Sequence, residues 1–359
     1  MNADENRQRV VLAENLAALH AAEHDWDVFA RLREVKELQT KDRKPFLVVQ
    51  LADVHGAVEA KIWENSREAM EAAKAAPHGA PVKVRGKVKD WQGRAQLVIE
   101  RLKTIEPGES PEGYDPDQLI DPALAPVEDL CCKTLVFDIE TVPALDRREL
   151  PPTVGEALSS YAQRKDMEPG AVMGLSPFFG KVVSLAIGDG DADEDDVTVL
   201  AVPQDGQVLS DCPKWLRPTD EAGLLRSFWA LASRAETVVS FNGRGFDVPF
   251  LVTRSLIHGI PARVDLVSQR FALRPHLDLW EILSNRGGPS KLDVVCWALG
   301  IESPKEIMDG SMVAPAYARG EIVKIAEYNA HDVRATSAVY RKVRDQILRD
   351  RSDWSPGRK

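Results

Sequence analysis

The sequence predicts two domains of different class: a small five-stranded β-barrel carrying one helix, and a larger mixed α/β domain, a five-stranded sheet with flanking helices. Three observations predict this. Residues 25–105 read as three strands, a helix and two strands. Residues 106–130 hold five prolines among many acids, the composition of an extended, weakly ordered linker. From residue 131 to 350, buried strands alternate with amphipathic helices, the pattern of a sheet covered on its faces. At 359 residues and 44% apolar, the chain is long enough to bury two cores.

The elements follow in order. Residues 1–24 are charged and helix-patterned, unlike a signal peptide, and predict an amphipathic helix over about 5–20. "DVFARLREVKELQ", "PFLVVQLAD" and "AVEAKIW" are strands, separated by the basic turn of Lys41, Arg43 and Lys44 and by a turn at His55-Gly56. "ENSREAMEAAKAA" is helical in composition, and "PVKVRGKVKD" and "AQLVIERLK" flank the turn "WQGR". Five strands with a helix between the third and fourth is the OB-fold plan.

In the second domain "TLVFDIE" is a buried strand, and "GKVVSLAIGDG" and "DVTVLAVP" form a hairpin across the acidic loop "DADEDD". "EAGLLRSFWALAS" is a helix, "TVVSF" a strand, and "FDVPFLVTRSLIHG" a helix. "PHLDLWEIL" turns from strand into helix, and "SKLDVVCWALG" is a short helix with Ser290 as its N-cap. A last long helix covers about 321–348, leaving a tail at 351–359. The 144–179 segment is longer than a tight hairpin requires. Its Arg147, Arg148, Arg164 and Lys165 leave two readings open, a substrate-facing lid or a covering element.

Charge and cysteines narrow the class. The net charge of −10 argues against a general nucleic-acid binder, yet residues 25–105 carry 16 basic against 12 acidic side chains. A mildly basic module thus precedes an acidic one, and an acidic module suits a holder of divalent cations. No apolar run is long enough to span a membrane. The four cysteines fit neither a disulfide framework nor a zinc site, which points to a reducing cytoplasm.

The second domain contains acids where a core is expected. Asp138 and Glu140 end an apolar strand and point to one face of it. Two neighbouring carboxylates stay ionised only with a cation between them or with good access to water. A solvent-facing strand end would satisfy that on its own, but two further places change the balance. Asp247 lies in the first turn of a helix that follows a buried strand, after a loop with Asn242. Tyr328 and Asp332 are four apart on a helix and share a partly apolar face. Distant carboxylates that can meet at one sheet edge are the ligand set of a two-metal phosphodiesterase.

The three motifs "FDIET", "FNGRGFD" and "YNAHD", in this order and spacing, resemble those of the DEDD superfamily of 3′–5′ exonucleases. Tyr328, with Glu327 where the histidine branch would have its histidine, is similar to the DEDDy branch. The proofreading domain of family B DNA polymerases and its stand-alone bacterial relatives look most alike, over about 133–347. The resemblance implies an RNase H-like fold and two divalent ions, Mg2+ or Mn2+. Asp138, Glu140 and Asp332 would ligate them, Asp247 would support the second through water, and Tyr328 would orient the attacking water. Asn242 and Phe246 would lie near the terminal nucleotide, and the backbone at Thr141 near its 3′-hydroxyl. His331 reads as an ordinary helix residue.

Residues 25–103 are similar to the OB-fold that precedes the catalytic domain in certain bacterial 3′–5′ exoribonucleases. Single strands bind such barrels by stacking on aromatic rings and by cation contacts. Lys61, Trp63, Trp91 and Arg94 are the candidate contacts, Trp63 alternatively filling the core. The stripe of Lys83, Arg85, Lys87 and Lys89 reads as a solvated strand side. The expectation is a 3′–5′ exonuclease on single-stranded nucleic acid, DNA ahead of RNA, releasing 5′-monophosphates, with no membrane partner. The alternatives are a non-catalytic nucleic-acid-binding adaptor and an RNase H-like endonuclease.

Overall fold

The computed structural model describes residues 9–91, 94–192, 196–210, 212–268, 272–284, 291–302 and 308–354. The chain divides into two compact units, Met1–Ala125 and Pro126–Lys359.

The first unit is a closed barrel. Strands β2 (Asp25–Gln39), β3 (Pro45–Asp53) and β4 (Gly56–Trp63) form an antiparallel meander; β5 (Ala80–Trp91) and β6 (Arg94–Thr104) complete it. β6 pairs parallel with β4 and antiparallel with β5, and β5 closes on β2. Strand alternation sends Val28, Ala30 and Leu32, Leu47, Val49 and Leu51, and Ala60 and Ile62 inward. Helix α1 (Arg67–Ala75) adds Ala69, Met70 and Ala73 to this core. Register shifts between Arg85 and Gly86, a bulge that bends β5 toward closure. A side chain at 86 would collide with the Val98 carbonyl, so only glycine lets the two strands approach there.

Two expectations fail in this unit. Among the described residues before β2 there is no α-helix. Strand β1 (Val10–Leu12) pairs parallel with the start of β2, and a short 3-10 turn, Leu16–Ala18, follows. The β-branched pair Val10-Val11 gains a ready sheet edge. Asn15, whose side chain accepts from the Ala18 amide at 3.0 Å, starts the turn; residues 1–8 lie outside the described residues. The proline-rich segment is likewise not an extended linker. Its prolines and aspartates build turns, with Asp115 capping Pro116–Gln118. Leu119 and Tyr114 pack on Phe29 and Ile105, and the Val54 amide donates to the Gln118 carbonyl at 3.0 Å.

The second unit is a mixed sheet. Strands β7 (Thr134–Pro143), β8 (Gly180–Asp189) and β9 (Val197–Ala201) are antiparallel, and β11 (Thr237–Ser240) and β12 (His276–Asp278) lie parallel to β7. A sixth strand, β10 (Leu216–Pro218), pairs with β9 and makes the order β10-β9-β8-β7-β11-β12, one strand more than expected. Three residues are too few to show a period, and the partner edge alone defines it. Helices α4 (Glu221–Ala232) and α5 (Asp247–Ile257) bracket β11. Then come α6 (Leu279–Ser284), α7 (Leu292–Leu299), α8 (Val313–Ala318) and the long α9 (Ile322–Val343). The expected cap of α7, Ser290, lies outside the described residues. α9 brings Ile325, Ala326, Val333 and Val339 against Val136, Ala186 and Val199 of the sheet.

The 144–179 segment is a helical hairpin, α2 (Pro152–Lys165) and α3 (Pro169–Leu175), with a small core of Leu158, Ala162, Val172 and Met173. The four cysteines are free thiols. No helix among the described residues is long and apolar enough to cross a membrane.

Candidate active site

The site is built on the middle of the second sheet. Phe137 and Ile139 of β7 are buried on one face. Pleating turns Val136, Asp138 and Glu140 to the other, the side that α9 covers. On α9, Tyr328 and Asp332 are one turn apart and share the facing side. One carboxylate oxygen from each of Asp138, Glu140 and Asp332 lies within 4.8 Å of the others. Tyr328, next to them, is buried and hydrogen-bonded to Asp332.

Asp247 approaches from the neighbouring strand. It is the first residue of α5 and is buried, and its Oδ1 accepts from the Ile139 amide at 3.3 Å. The chain turns from β11 into α5 through Asn242, which sits at φ 62°, and Gly243, where any side chain would strike Ser240. Asp278, at the end of β12, holds this turn. Its carboxylate accepts from the amides of Asn242 (2.9 Å), Arg244 (3.0 Å) and Trp280 (3.0 Å). His276 behind it is buried and its pKa is pushed down to about 4, so it is neutral. Nδ1–H then donates to the Leu266 carbonyl at 2.9 Å, and Nε2 accepts from the Ser240 hydroxyl at 2.7 Å.

The electrostatics are those of a site made for cations. Burial pushes Asp138 well above the usual carboxylate range, and Asp247, Asp332 and Glu140 push the same way. Glu140 is raised by burial, then by Asp332 and Asp247. Asp247 is raised to about 7 by burial, against the amides that hydrogen-bond it, with Asp278 and Asp332 adding to the rise. Burial and the three carboxylates raise Tyr328, which keeps its proton and can donate. Hard oxygen donors that repel one another are the donor set a divalent cation relieves. Asp138, Glu140 and Asp332 fit such an ion directly, with Asp247 beside them.

The remaining predicted positions divide. Phe246 precedes Asp247, with its ring 5.6 Å from that of Phe250. The Thr141 hydroxyl donates to the Gly174 carbonyl at 2.8 Å, tying β7 to α3. His331 is exposed. In the barrel, Trp63 is outside the core: it points away from buried Ile62, stacks on Phe46 at 5.0 Å, and has the Lys61 ammonium 5.9 Å from its ring. The side chains of Trp91 and Arg94 lie outside the described residues. Three cations of the basic stripe are paired: Arg85 binds Asp27 at 2.6 Å, with Lys83 beside it, and Lys87 lies 3.5 Å from Glu100.

Sequence reasoning missed Asp278 and Asn329. The signal for Asp278 was an aspartate where strand passes into helix, a capping position. Asn329 follows Tyr328 and is fully buried; its amide donates to Ser184 Oγ at 2.9 Å and to the Asp138 carbonyl at 3.4 Å. It pins α9 to β7 and β8 at the level of the acids.

Residues 179–353 match the family described as a predicted 3′–5′ exonuclease related to the exonuclease domain of PolB, and residues 26–105 match the OB-fold nucleic acid binding domain. The first match begins after β7, so Asp138 and Glu140 join the site through the fold. Among solved structures, the chain resembles the family B DNA polymerase of the archaeon Pyrobaculum calidifontis. The identity is 14% and the TM-score 0.40, over 87% of this chain and 46% of that one. The chain therefore spans about half the length of that polymerase. The second OB-fold domain of replication protein A from Methanococcus maripaludis is 18% identical, with TM-score 0.22, over 28% of this chain and all of that one (100%). A mitochondrial single-stranded DNA binding protein of S. cerevisiae is 14% identical, with TM-score 0.21, over 24% and 96%. A PolB-like exonuclease domain implies dependence on divalent metal.

Proposed function

We propose that this chain, an OB-fold domain followed by a PolB-like 3′–5′ exonuclease domain, removes nucleotides one at a time from the 3′ end of single-stranded nucleic acid. The observation that carries this reading is the meeting of Asp138, Glu140 and Asp332, from β7 and α9, within 4.8 Å. Tyr328 against Asp332 supports the tyrosine branch.

Asp138, Glu140 and Asp332 would hold two divalent ions, Mg2+ or Mn2+, with Asp247 beside them in support. When bound, such ions lower the pKa of water and neutralise charge on the phosphate. Tyr328, kept protonated, positions the attacking water by hydrogen bonding. Asn242 and Phe246, set by the Asp278-clamped turn, flank the terminal nucleotide, and the backbone at Thr141 meets its 3′-hydroxyl. Water adds to the terminal phosphorus, the bond to the penultimate 3′-oxygen breaks, and that oxygen takes a proton. A 5′-monophosphate and a strand one nucleotide shorter result. Trp63 and Lys61 of the barrel take bases and phosphates of the same strand. Kinship with a DNA polymerase's exonuclease domain favours DNA over RNA.

The test uses matched DNA and RNA oligonucleotides, with free or blocked 3′ ends, and a circular single strand, in Mg2+ or Mn2+. Free 3′ ends should be shortened stepwise, faster in DNA, with blocked strands and the circle intact. Degradation of blocked ends, or cutting of the circle, would overturn the reading, as would full activity in Asp138→Asn or Asp332→Asn.

A further inference from the structure

The helical hairpin between β7 and β8 holds a groove of about 670 Å³ that the catalytic reading does not use. Tyr161 and Phe178 line it, and they are 44% and 69% exposed, unusual for rings of this size. The charged side chains lining it are Arg164 and Lys165, two cations and no acid. Both lie over the Tyr161 ring, at 5.7 and 5.9 Å. Cations in the last turn of α2 would be favoured by the helix dipole alone. That account leaves the exposed rings and the apolar cleft unexplained.

The groove is fastened to the elements that carry the acids. The turn bearing Phe178 is closed by the Gly180 amide on the Ser176 carbonyl at 2.7 Å. Arg254 of α5 donates to the Pro177 carbonyl at 3.4 Å, two turns along the helix that begins with Asp247, or ~10 Å. On the other side Pro143 pairs with Gly180, three residues of strand beyond Glu140, again ~10 Å. Thr141, next to Glu140, is bonded to Gly174 of α3. Phe178 is thus presented outward on a hydrogen-bonded turn a few nucleotides' reach from the carboxylates.

We infer that this groove is a binding track for the single strand upstream of the bond to be cut, with bases stacking on Tyr161 and Phe178 and phosphate meeting Arg164 and Lys165. The inference rests on the exonuclease reading and adds a second contact region within the same unit. The two lining cations complement a phosphodiester chain, and aromatic rings accept any base. Anchorage to β7 and α5 keeps the track in register with the site. The track is sequence-tolerant and favours long strands over short ones.

The full chain is tested with Tyr161→Ala, Phe178→Ala and the pair, on a long oligonucleotide and on thymidine 5′-p-nitrophenyl phosphate, which reaches only the catalytic centre. KM for the long strand should rise about tenfold per ring removed, with its kcat, turnover of the small reporter and Tm unchanged. A 5-iodouracil placed a few nucleotides from the 3′ end should photo-crosslink to the groove in the wild type and not in the double variant. An unchanged KM and crosslink overturn the track, including the case in which the same variants lose only an acidic peptide partner. Equal loss on both substrates also overturns it, because the rings are then structural. A wild type inactive on both substrates overturns the exonuclease reading itself.

Discussion

Replacing Asp138 by asparagine should stabilise the metal-free protein while abolishing its activity. Asp138 shares a pocket with Glu140 and Asp332, their ligand oxygens within 4.8 Å of one another, and Asp247 adds to the field. At that separation and an effective dielectric constant of about 20, each ionised pair costs about 3 kcal/mol. Partial protonation already relieves part of this, since the acids are raised far above their usual range. The net gain from Asp138→Asn at pH 8 is therefore on the order of 2–4 kcal/mol. For a unit of this size that is about 5–10 °C in Tm. Thermal unfolding in EDTA at pH 8 measures it. Added Mg2+ should raise the wild-type Tm and do little for the variant, because the ion binds the native carboxylates. A variant that melts below the wild type in EDTA, or gains equally from Mg2+, would show that these acids do not share an ion site.

The other predictions test separate parts of the molecule. In EDTA the wild-type Tm should fall as pH rises through about 7, where buried Asp247 titrates in the folded state. Its folded pKa is above the unfolded ~3.9, so the native state holds the extra proton and loses stability as that proton leaves; a Tm flat between pH 5.5 and 8 contradicts this. Tyr328→Phe keeps the ring and removes the hydroxyl, so kcat should drop about 100-fold with Tm nearly unchanged. Trp63→Ala should weaken oligonucleotide binding about tenfold, read by fluorescence anisotropy, without unfolding the barrel.

The acids were legible because their spacing is local geometry. Asp138 and Glu140 share a strand face, Tyr328 and Asp332 share a helix face, and Asp247 follows a strand-loop-helix passage. The barrel strands were legible from the alternation that buries Leu47, Val49 and Leu51. What escaped depends on partners distant in sequence. Val10–Leu12 becomes a strand because β2 offers an edge, and Leu216–Pro218 because β9 does. Leu119 turns a proline-rich stretch into part of the barrel by finding Phe29. Asp278 matters only because it meets the Asn242–Arg244 turn from the neighbouring strand. The groove on α2 likewise exists only once α3 and the Phe178 turn have docked.

The trio of carboxylates spans β7 and α9, and that has a consequence for synthesis. A ribosome adding 5–20 residues per second reaches Asp332 roughly 10–40 s after Asp138. Until α9 emerges and docks through Asn329, the growing chain has an incomplete ligand set. On the reading proposed above, the growing chain cannot act on a nucleic acid until its last long helix is in place.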